Sequence, residues 1–390
     1  MTATFAATTR LLEAEVEDGL FTRGAQVSVW VDGEPAVSLA LGDDGTGRPM
    51  AADTVSRVYC TIKPITAVAV ARQVDAGVLD LDEPLAGYLP EVRSLADGAV
   101  TLRHVLTHTA GLHRPMALEL ELVAPDQRKA RIDATDRPRH WRVGLDAAYS
   151  EDVGWRLLGR LLEAVTGEPL GPHLRAAVLD PLGMTDTWIG MAPEEYKALL
   201  PRLGVSHDMR GLQSYPLLLE RGVRMCTDVN PAHGGYSTAD DLARFYAALL
   251  AQLAGAGSAD LPAAETLATF TSSQRPPNED LVLGRPCEYG LGFMTALDGH
   301  AFGRSPSPRA FGNSGNVGSS FAWADPEHDL AVGVLLNGVV DPDSAFLRRP
   351  ALVRAVYADL EALEDDGDEL EAVAPDEAPA RGGWRRLLGR

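Results

Sequence analysis

Strand-forming sequence sits at the two ends of this chain and helix-forming sequence fills the space between. That distribution limits the folds open to the chain more than any other feature does. Near the N-terminus, residues 25–41 alternate apolar and polar side chains around Asp32-Gly33, the pattern of a β-hairpin closed by a tight primed turn. Near the C-terminus, residues 319–324 and 330–336 read as two further strands separated by Asp325-Pro326. Apolar residues between them recur at helical spacing. The expected helices cover residues 61–76 (Pro64 in the first turn, Gly77 as cap), 102–107, 153–165 (stopped at Gly167), 170–178 and 239–253. Residues 1–19 carry apolar positions among acids and read as an amphipathic surface helix. One arrangement satisfies both ends at once: an α/β (α+β) fold with an antiparallel β-sheet flanked by helices and an inserted, mostly helical lobe. The expectation is one domain over residues 1–360, its sheet lobe from about 1–100 and 265–360 and its helical lobe from about 101–264.

Charge narrows the partners. The 390 residues include 55 acids and 35 bases, a net charge of −20, which argues against nucleic acid and anionic membrane as partners, since both need clustered bases. Three cysteines, Cys60, Cys226 and Cys287, are too few for a disulfide framework. No leader or stretch of ~18 apolar residues is visible, so a cytoplasmic protein with reduced thiols is expected. Residues 359–377 hold ten acids and no base, and residues 381–390 turn basic around Trp384. From residue 361 on we expect a flexible acidic linker and a short basic tail; a tail without function fits the same composition. Only three of the 35 bases are lysines.

One of those lysines belongs to Cys60-Thr61-Ile62-Lys63, at the start of the helix expected over residues 61–76. Residues at i and i+3 share a helix face, and a helix N-terminus offers unpaired N–H groups and a positive dipole end. A thiol beside an ammonium in that position is a better nucleophile than a free cysteine. The motif alone is equally compatible with a small buried hydrophobe at residue 60.

The run from Asp53 through Cys60-Thr61-Ile62-Lys63 to Ala67 resembles the serine β-lactamase, penicillin-binding protein and esterase family, in which the nucleophile opens a Ser-x-x-Lys motif on a helix. The similarity continues through Gly77-Val78-Leu79-Asp80, Thr107-His108-Thr109-Ala110-Gly111, Tyr149-Ser150-Glu151 and Pro181-Leu182-Gly183-Met184. It resumes at Gly234-Gly235-Tyr236-Ser237-Thr238 and closes with Asn313-Ser314-Gly315-Asn316. The ordered matches span roughly residues 20–340.

Three departures shape the function that the resemblance implies. Cys60 stands where the family has serine. An acid, Glu151, occupies the third place of the Tyr motif, as in the esterase branch. Asn313-Ser314-Gly315 replaces a triplet that begins with a cation, which lowers the case for β-lactam or D-Ala-D-Ala substrates. The resemblance makes Cys60 the nucleophile and Lys63 and Tyr149 the groups that move protons. It assigns the oxyanion to the backbone N–H groups of Cys60 and Asn316, and Glu151 is open between holding Lys63 charged and capping the next helix. The expected chemistry is acyl transfer through a thioester on Cys60, from an ester, thioester or amide donor, without cofactor or metal. A hydrolase using the same intermediate, or a binding protein descended from such enzymes, are the alternatives.

Two further regions carry weaker signals. His104 and His108 lie four apart in a segment that matches a structural stretch of the family, and Cys226 and Cys287 read as inert thiols. His233 precedes a Gly-Gly turn that borders the site in relatives, so a substrate-facing role is weighed for it. Residues 114–142 form a basic island that includes Arg137, Arg139 and Trp141. It could meet an anionic small-molecule or peptide acyl substrate, or the phosphopantetheine arm of a carrier-protein or CoA thioester; pairing with neighbouring acids is the plainer reading.

Overall fold

An eight-stranded sheet forms the spine of the protein. In the computed structural model, which describes residues 5–211 and 213–372, the sheet begins at one edge with Glu34–Gly42, Gly24–Val31, Leu330–Leu336 and Ser320–Asp325. It continues through Phe311–Gly315, Met294–Thr295, Arg285–Tyr289 and Arg275–Asp280. Neighbours pair antiparallel throughout. The N-terminal hairpin turns through Asp32 (φ 53°) and Gly33 (φ 74°), the two left-handed positions of its tight turn. Its first strand then pairs with Leu330–Leu336, placing Ala25 opposite Leu336 and Val31 opposite Leu330. Both strands are buried at every residue, as a sheet centre covered on two faces requires.

Each face has its own cover. The Ala239–Leu253 helix lies on one, where Leu242, Ala243 and Tyr246 share a core with Trp30, Ala322 and Leu335. The helices Ala6–Asp18 and Pro342–Ala372 meet over the other, with Leu12, Val353 and Val356 packed among Val27, Trp323 and Val332. The first helix has no side-chain cap of its own at Phe5. Asp359, on the last helix, supplies one by accepting the amides of Ala7 and Thr8 at 2.8 Å each, satisfying two donors that a helix start leaves open.

The two lobes interlock more than their chain order implies. The Lys63–Asp75 helix, counted with the sheet lobe by residue number, packs against Val153–Thr166, Leu170–Leu174 and Ala264–Thr271. The Ala239–Leu253 helix, counted with the helical lobe, lies on the sheet. A helix follows its apolar face rather than its place in the chain, and one continuous core takes in both groups. The helix expected over 170–178 is α-helical over Leu170–Leu174 and widens to a π-turn over Arg175–Leu179. The strand Arg275–Asp280 carries Pro276 and Pro277 and lies at the sheet edge, where a missing N–H donor is tolerated.

The acidic linker expected from residue 361 begins as helix, because Pro342–Ala372 continues into it. Its Leu, Ala and Glu residues are good helix formers once a docked helix has launched them. Residues 373–390, including Trp384, lie outside the described residues. Among those described, no helix is long and apolar enough to cross a membrane.

Candidate active site

The backbone around residue 58 is held from three sides. Val58 N–H donates to Gly235 O at 2.9 Å, and Ser320 Oγ donates to Val58 O at 2.6 Å. The strand Phe311–Gly315 runs alongside. A Cβ on Gly315 would stand 2.6 Å from Val58 O and 2.9 Å from Tyr59 Cβ, so the strand approaches this closely only because residue 315 has no side chain. The chain next passes through a short 3-10 turn, Tyr59–Ile62, before the α-helix Lys63–Asp75 begins. Tyr59 has φ 47°, a left-handed conformation that bulky residues avoid. Its side chain is fixed at both ends: the Arg57 guanidinium lies 4.6 Å from the ring centroid and the hydroxyl donates to Glu220. Surroundings that over-determine a strained residue are how such strain persists. The turn leaves Cys60 half-buried, while Cys226 and Cys287 are buried and burial pushes both of their thiols up.

Lys63 is fully buried. Its Nζ donates to Glu151 O at 2.9 Å and Ala232 O at 2.6 Å, and lies 5.2 Å from the Tyr149 ring and 5.7 Å from the Trp155 ring. Carbonyl dipoles and aromatic faces thus replace the water that a buried ammonium loses. Glu151 therefore meets Lys63 through its carbonyl. Its carboxylate turns away to accept Ala117 N–H at 3.2 Å, which corrects both roles weighed for it. The residue that precedes the Val153–Thr166 helix is Asp152.

Tyr149 closes the third side. Its backbone N–H donates to the buried Asp280 at 2.9 Å, and its ring lies 4.6 Å from His108 and 6.3 Å from Tyr289. Burial, and then the neighbouring Cys60 thiol, hold its hydroxyl well above the usual tyrosine range, so the resting group is a neutral phenol able to donate a proton. His108 is structural here: Nδ1 accepts Ser150 N–H at 3.0 Å. His104 closes a capping box with Thr101 at the start of Leu102–Leu106.

Asn313, 1% exposed, turns its Oδ1 back to accept Ser314 N–H at 2.7 Å. Ser314 is half-buried, its Oγ 3.9 Å from Met294 Sδ, and Met294 lies opposite Tyr289. The chain bends after Gly315 through Asn316 (φ 35°) and Val317 (φ 55°), which sets Asn316 at the end of the strand that flanks the Cys60 turn.

Four expected residues point elsewhere. His233 is buried and bonds through Nε2 to Asp152 Oδ2 at 2.8 Å, so it faces the interior instead of a substrate. Arg137 pairs with Asp97, and Arg93 with Asp136 at 3.4 Å. These residues line a cavity of about 510 Å³ together with Arg139 and Trp141; Cys60, Lys63 and Tyr149 are not part of its lining. Trp141 is tied by Nε1 to Thr109 O at 3.0 Å. Of the basic island's arginines and lysine, only Arg137 and Arg139 line this cavity; Arg114, Arg128, Lys129 and Arg142 pair with Glu119, Asp228, Asp133 and Asp146 outside it.

Sequence reasoning missed Arg57, Asp152 and Tyr289. The first two stand next to motifs already singled out, three residues before Cys60 and one after Glu151. Tyr289 comes from a short strand with no motif around it. Its hydroxyl is buried and has no hydrogen-bond partner among the described residues.

A family model described as Beta-lactamase matches residues 12–357. The chain is 31% identical to Esterase EstB of Burkholderia gladioli, over 82% of this chain and 86% of that one. It is similar to a penicillin-binding protein homologue from Caulobacter crescentus, whose crystal structure superposes with a TM-score of 0.74 at 26% identity, covering 91% of this chain and 97% of the other. A shorter match, 27% identical over 35% of this chain and 38% of the relative, is to Monacolin J acid methylbutanoyltransferase of Aspergillus terreus.

Proposed function

The chain belongs to the beta-lactamase family, and from that premise we propose that it transfers acyl groups through a thioester on Cys60. The family's esterase and penicillin-binding members support an enzyme of the hydrolase or acyltransferase type. One observation carries the finer reading: of three free cysteines only Cys60 is not buried, and it stands at the head of the Lys63 helix beside Tyr149. The Cys60 sulfur attacks the donor's acyl carbon, a C–S bond forms, and the donor's C–O, C–S or C–N bond breaks. Along the relay each of Lys63 and Tyr149 hands on a proton of its own as it gains one, so that one proton leaves the thiol and one reaches the leaving group. An incoming amine, alcohol or thiol then takes the acyl group and gives up its proton by the reverse route; water in that role makes the reaction a hydrolysis. Backbone N–H groups of Cys60 and Asn316 hold the oxyanion, each donor of this kind contributing about 3 kcal/mol.

Acyl transfer is favoured over hydrolysis on chemical grounds, because a thioester stays reactive toward amines and thiols. The named acyltransferase relative adds support. The donors in view are esters and thioesters, CoA- or carrier-bound forms included, in a cytoplasmic setting that keeps Cys60 reduced. Asn313 in place of a cation argues against substrates that need a carboxylate anchor. Intact-mass measurement after incubation with an acyl thioester checks this directly. One acyl mass is expected, on the peptide containing Cys60, and none in Cys60→Ala; label that survives in the Ala variant refutes the reading. Product analysis with and without an added amine then separates transferase from hydrolase.

A further inference from the structure

Lys63 depends on two carbonyls that come from segments far apart in the chain, Glu151 and Ala232. The residue after each is one half of a buried pair, since Asp152 Oδ2 and His233 Nε2 meet at 2.8 Å, with Asp152 1% and His233 4% exposed. The pair is itself pinned on both flanks. Asp152 Oδ1 accepts Arg156 Nε–H at 2.6 Å. His233 Nδ1 faces Arg57 Nη2 at 3.0 Å, and Arg57 Nε donates to His233 O at 3.3 Å. Asn230 Oδ1 accepts Ala232 N–H at 2.9 Å, fixing the peptide next to the carbonyl that Lys63 uses.

One proton arrangement serves both charged partners, and it leaves Asn230 Nδ2, 3.2 Å from Nε2, without an acceptor there. Nε2–H donates to Asp152 and Nδ1 accepts from Arg57, which makes His233 a neutral imidazole. Burial lowers its affinity for a second proton, and Arg57 already occupies Nδ1. Two segments that share no regular hydrogen-bond ladder are therefore joined by the Asp152–His233 bond directly behind the atoms that hold the ammonium, with Arg156 reaching Asp228 at 3.4 Å farther along.

We propose that Asp152 and His233 are positioning residues for Lys63: their bond clamps the Glu151 and Ala232 carbonyls at a spacing that one ammonium can bridge, and so sets where Lys63 stands relative to Cys60. The proposal rests on the reading that Lys63 serves Cys60. Neither residue touches substrate. A misplacement of the ammonium by ~1 Å is enough to cost about 100-fold in rate, so a clamp of this kind governs kcat and leaves KM alone.

The test compares the wild type with Lys63→Ala, His233→Leu, His233→Gln and Asp152→Asn. It reads the pH profile of Cys60 alkylation by iodoacetamide, and kcat and KM for a p-nitrophenyl ester per titrated site. His233→Leu and Asp152→Asn should raise the alkylation midpoint and lower kcat by about 10–100-fold, with KM within about twofold. His233→Gln, which keeps a donor near the position of Nε2, should recover most of the rate. If the two clamp variants reduce only the number of titratable sites, with midpoint and kcat per site as in the wild type, the residues are merely structural and the proposal fails. If Lys63→Ala itself leaves the midpoint and kcat unmoved, the underlying mechanism fails first.

Discussion

Two carboxyl groups are buried behind this site, Asp152 behind Lys63 and Glu220 behind Tyr59, and they hold their protons very differently. Burial opposes ionisation of Asp152, yet its bond to His233 and the charge of Arg156 hold its carboxyl down at about 2. Burial likewise dominates at Glu220, and there the opposing influences, the Arg57 charge and the Ser206 amide, leave it pushed up to about 7. Both residues are under 5% exposed, so depth does not separate them. Partners do: Asp152 receives direct bonds from an imidazole and a guanidinium, whereas Arg57 directs its own bonds to Glu121 and His233 and acts on Glu220 only at a distance. Pairing decides whether a buried carboxyl is a fixed charge or a neutral hydrogen-bonding group. Asp152 is the fixed charge of the two, and Glu220 takes up its proton as pH falls through about 7.

The comparison breaks most visibly at Asp152. Asp152→Ala leaves His233 without its carboxylate and Arg156 with Asp228 alone, at 3.4 Å, and removing one partner of a buried charge pair costs about 3–5 kcal/mol. Urea unfolding at pH 7 measures it; a loss below about 1 kcal/mol would mean that Asp152 is no fixed charge. Glu220 sharpens the contrast through pH. Its carboxyl holds a proton in the folded state that the unfolded chain, titrating near 4.5, has released. The stability it contributes is therefore complete below pH 4.5 and lost as pH rises through about 7. Glu220→Gln should remove about 2–3 kcal/mol of the stability loss that the wild type shows between about pH 5 and pH 8; equal slopes for the two proteins would contradict the assignment. Asp152 runs the other way, its contribution present above 3.8 and lost as pH falls through about 2. The smallest effect is expected at Arg137, whose partner Asp97 is half-exposed. Arg137→Glu should change stability by about 1 kcal/mol or less and leave KM for an anionic donor within about twofold. A large rise in KM would bring the basic cavity back into substrate recognition.

Much of this architecture was legible before the structure. The hairpin around Asp32-Gly33, the closing strands and the Ala239–Leu253 helix each carry a periodic pattern with a marked stop, and such patterns survive into the fold. The short strands Met294–Thr295 and Arg285–Tyr289 have too few residues to show a period, and the prolines of Arg275–Asp280 conceal a strand that an edge tolerates. The motif residues Cys60, Lys63 and Tyr149 stood out because they occupy places in a family pattern that the chain resembles; only Cys60 and Lys63, at i and i+3, also show a local spacing. Glu151 was misread for a different reason: it contributes a carbonyl, and a backbone oxygen leaves no trace in residue identity. Asp152 escaped, and His233 was weighed only for a substrate-facing role, because their partnership joins segments 81 residues apart, and no local pattern announces a bond of that range.

The cap that Asp359 places on the first helix, 352 residues away from Ala7, bears on how the protein is made. A chain emerging from the ribosome presents the hairpin of Gly24–Val31 and Glu34–Gly42 with its first strand lacking the Leu330–Leu336 partner, which covers its inner edge only once residue 336 has been synthesised. An unpaired apolar strand edge invites association with other chains, and contacts this distant in sequence close slowly. A strand made late thus completes one made early, and a chain halted before residue 330 would carry that exposed edge without the strand that covers it.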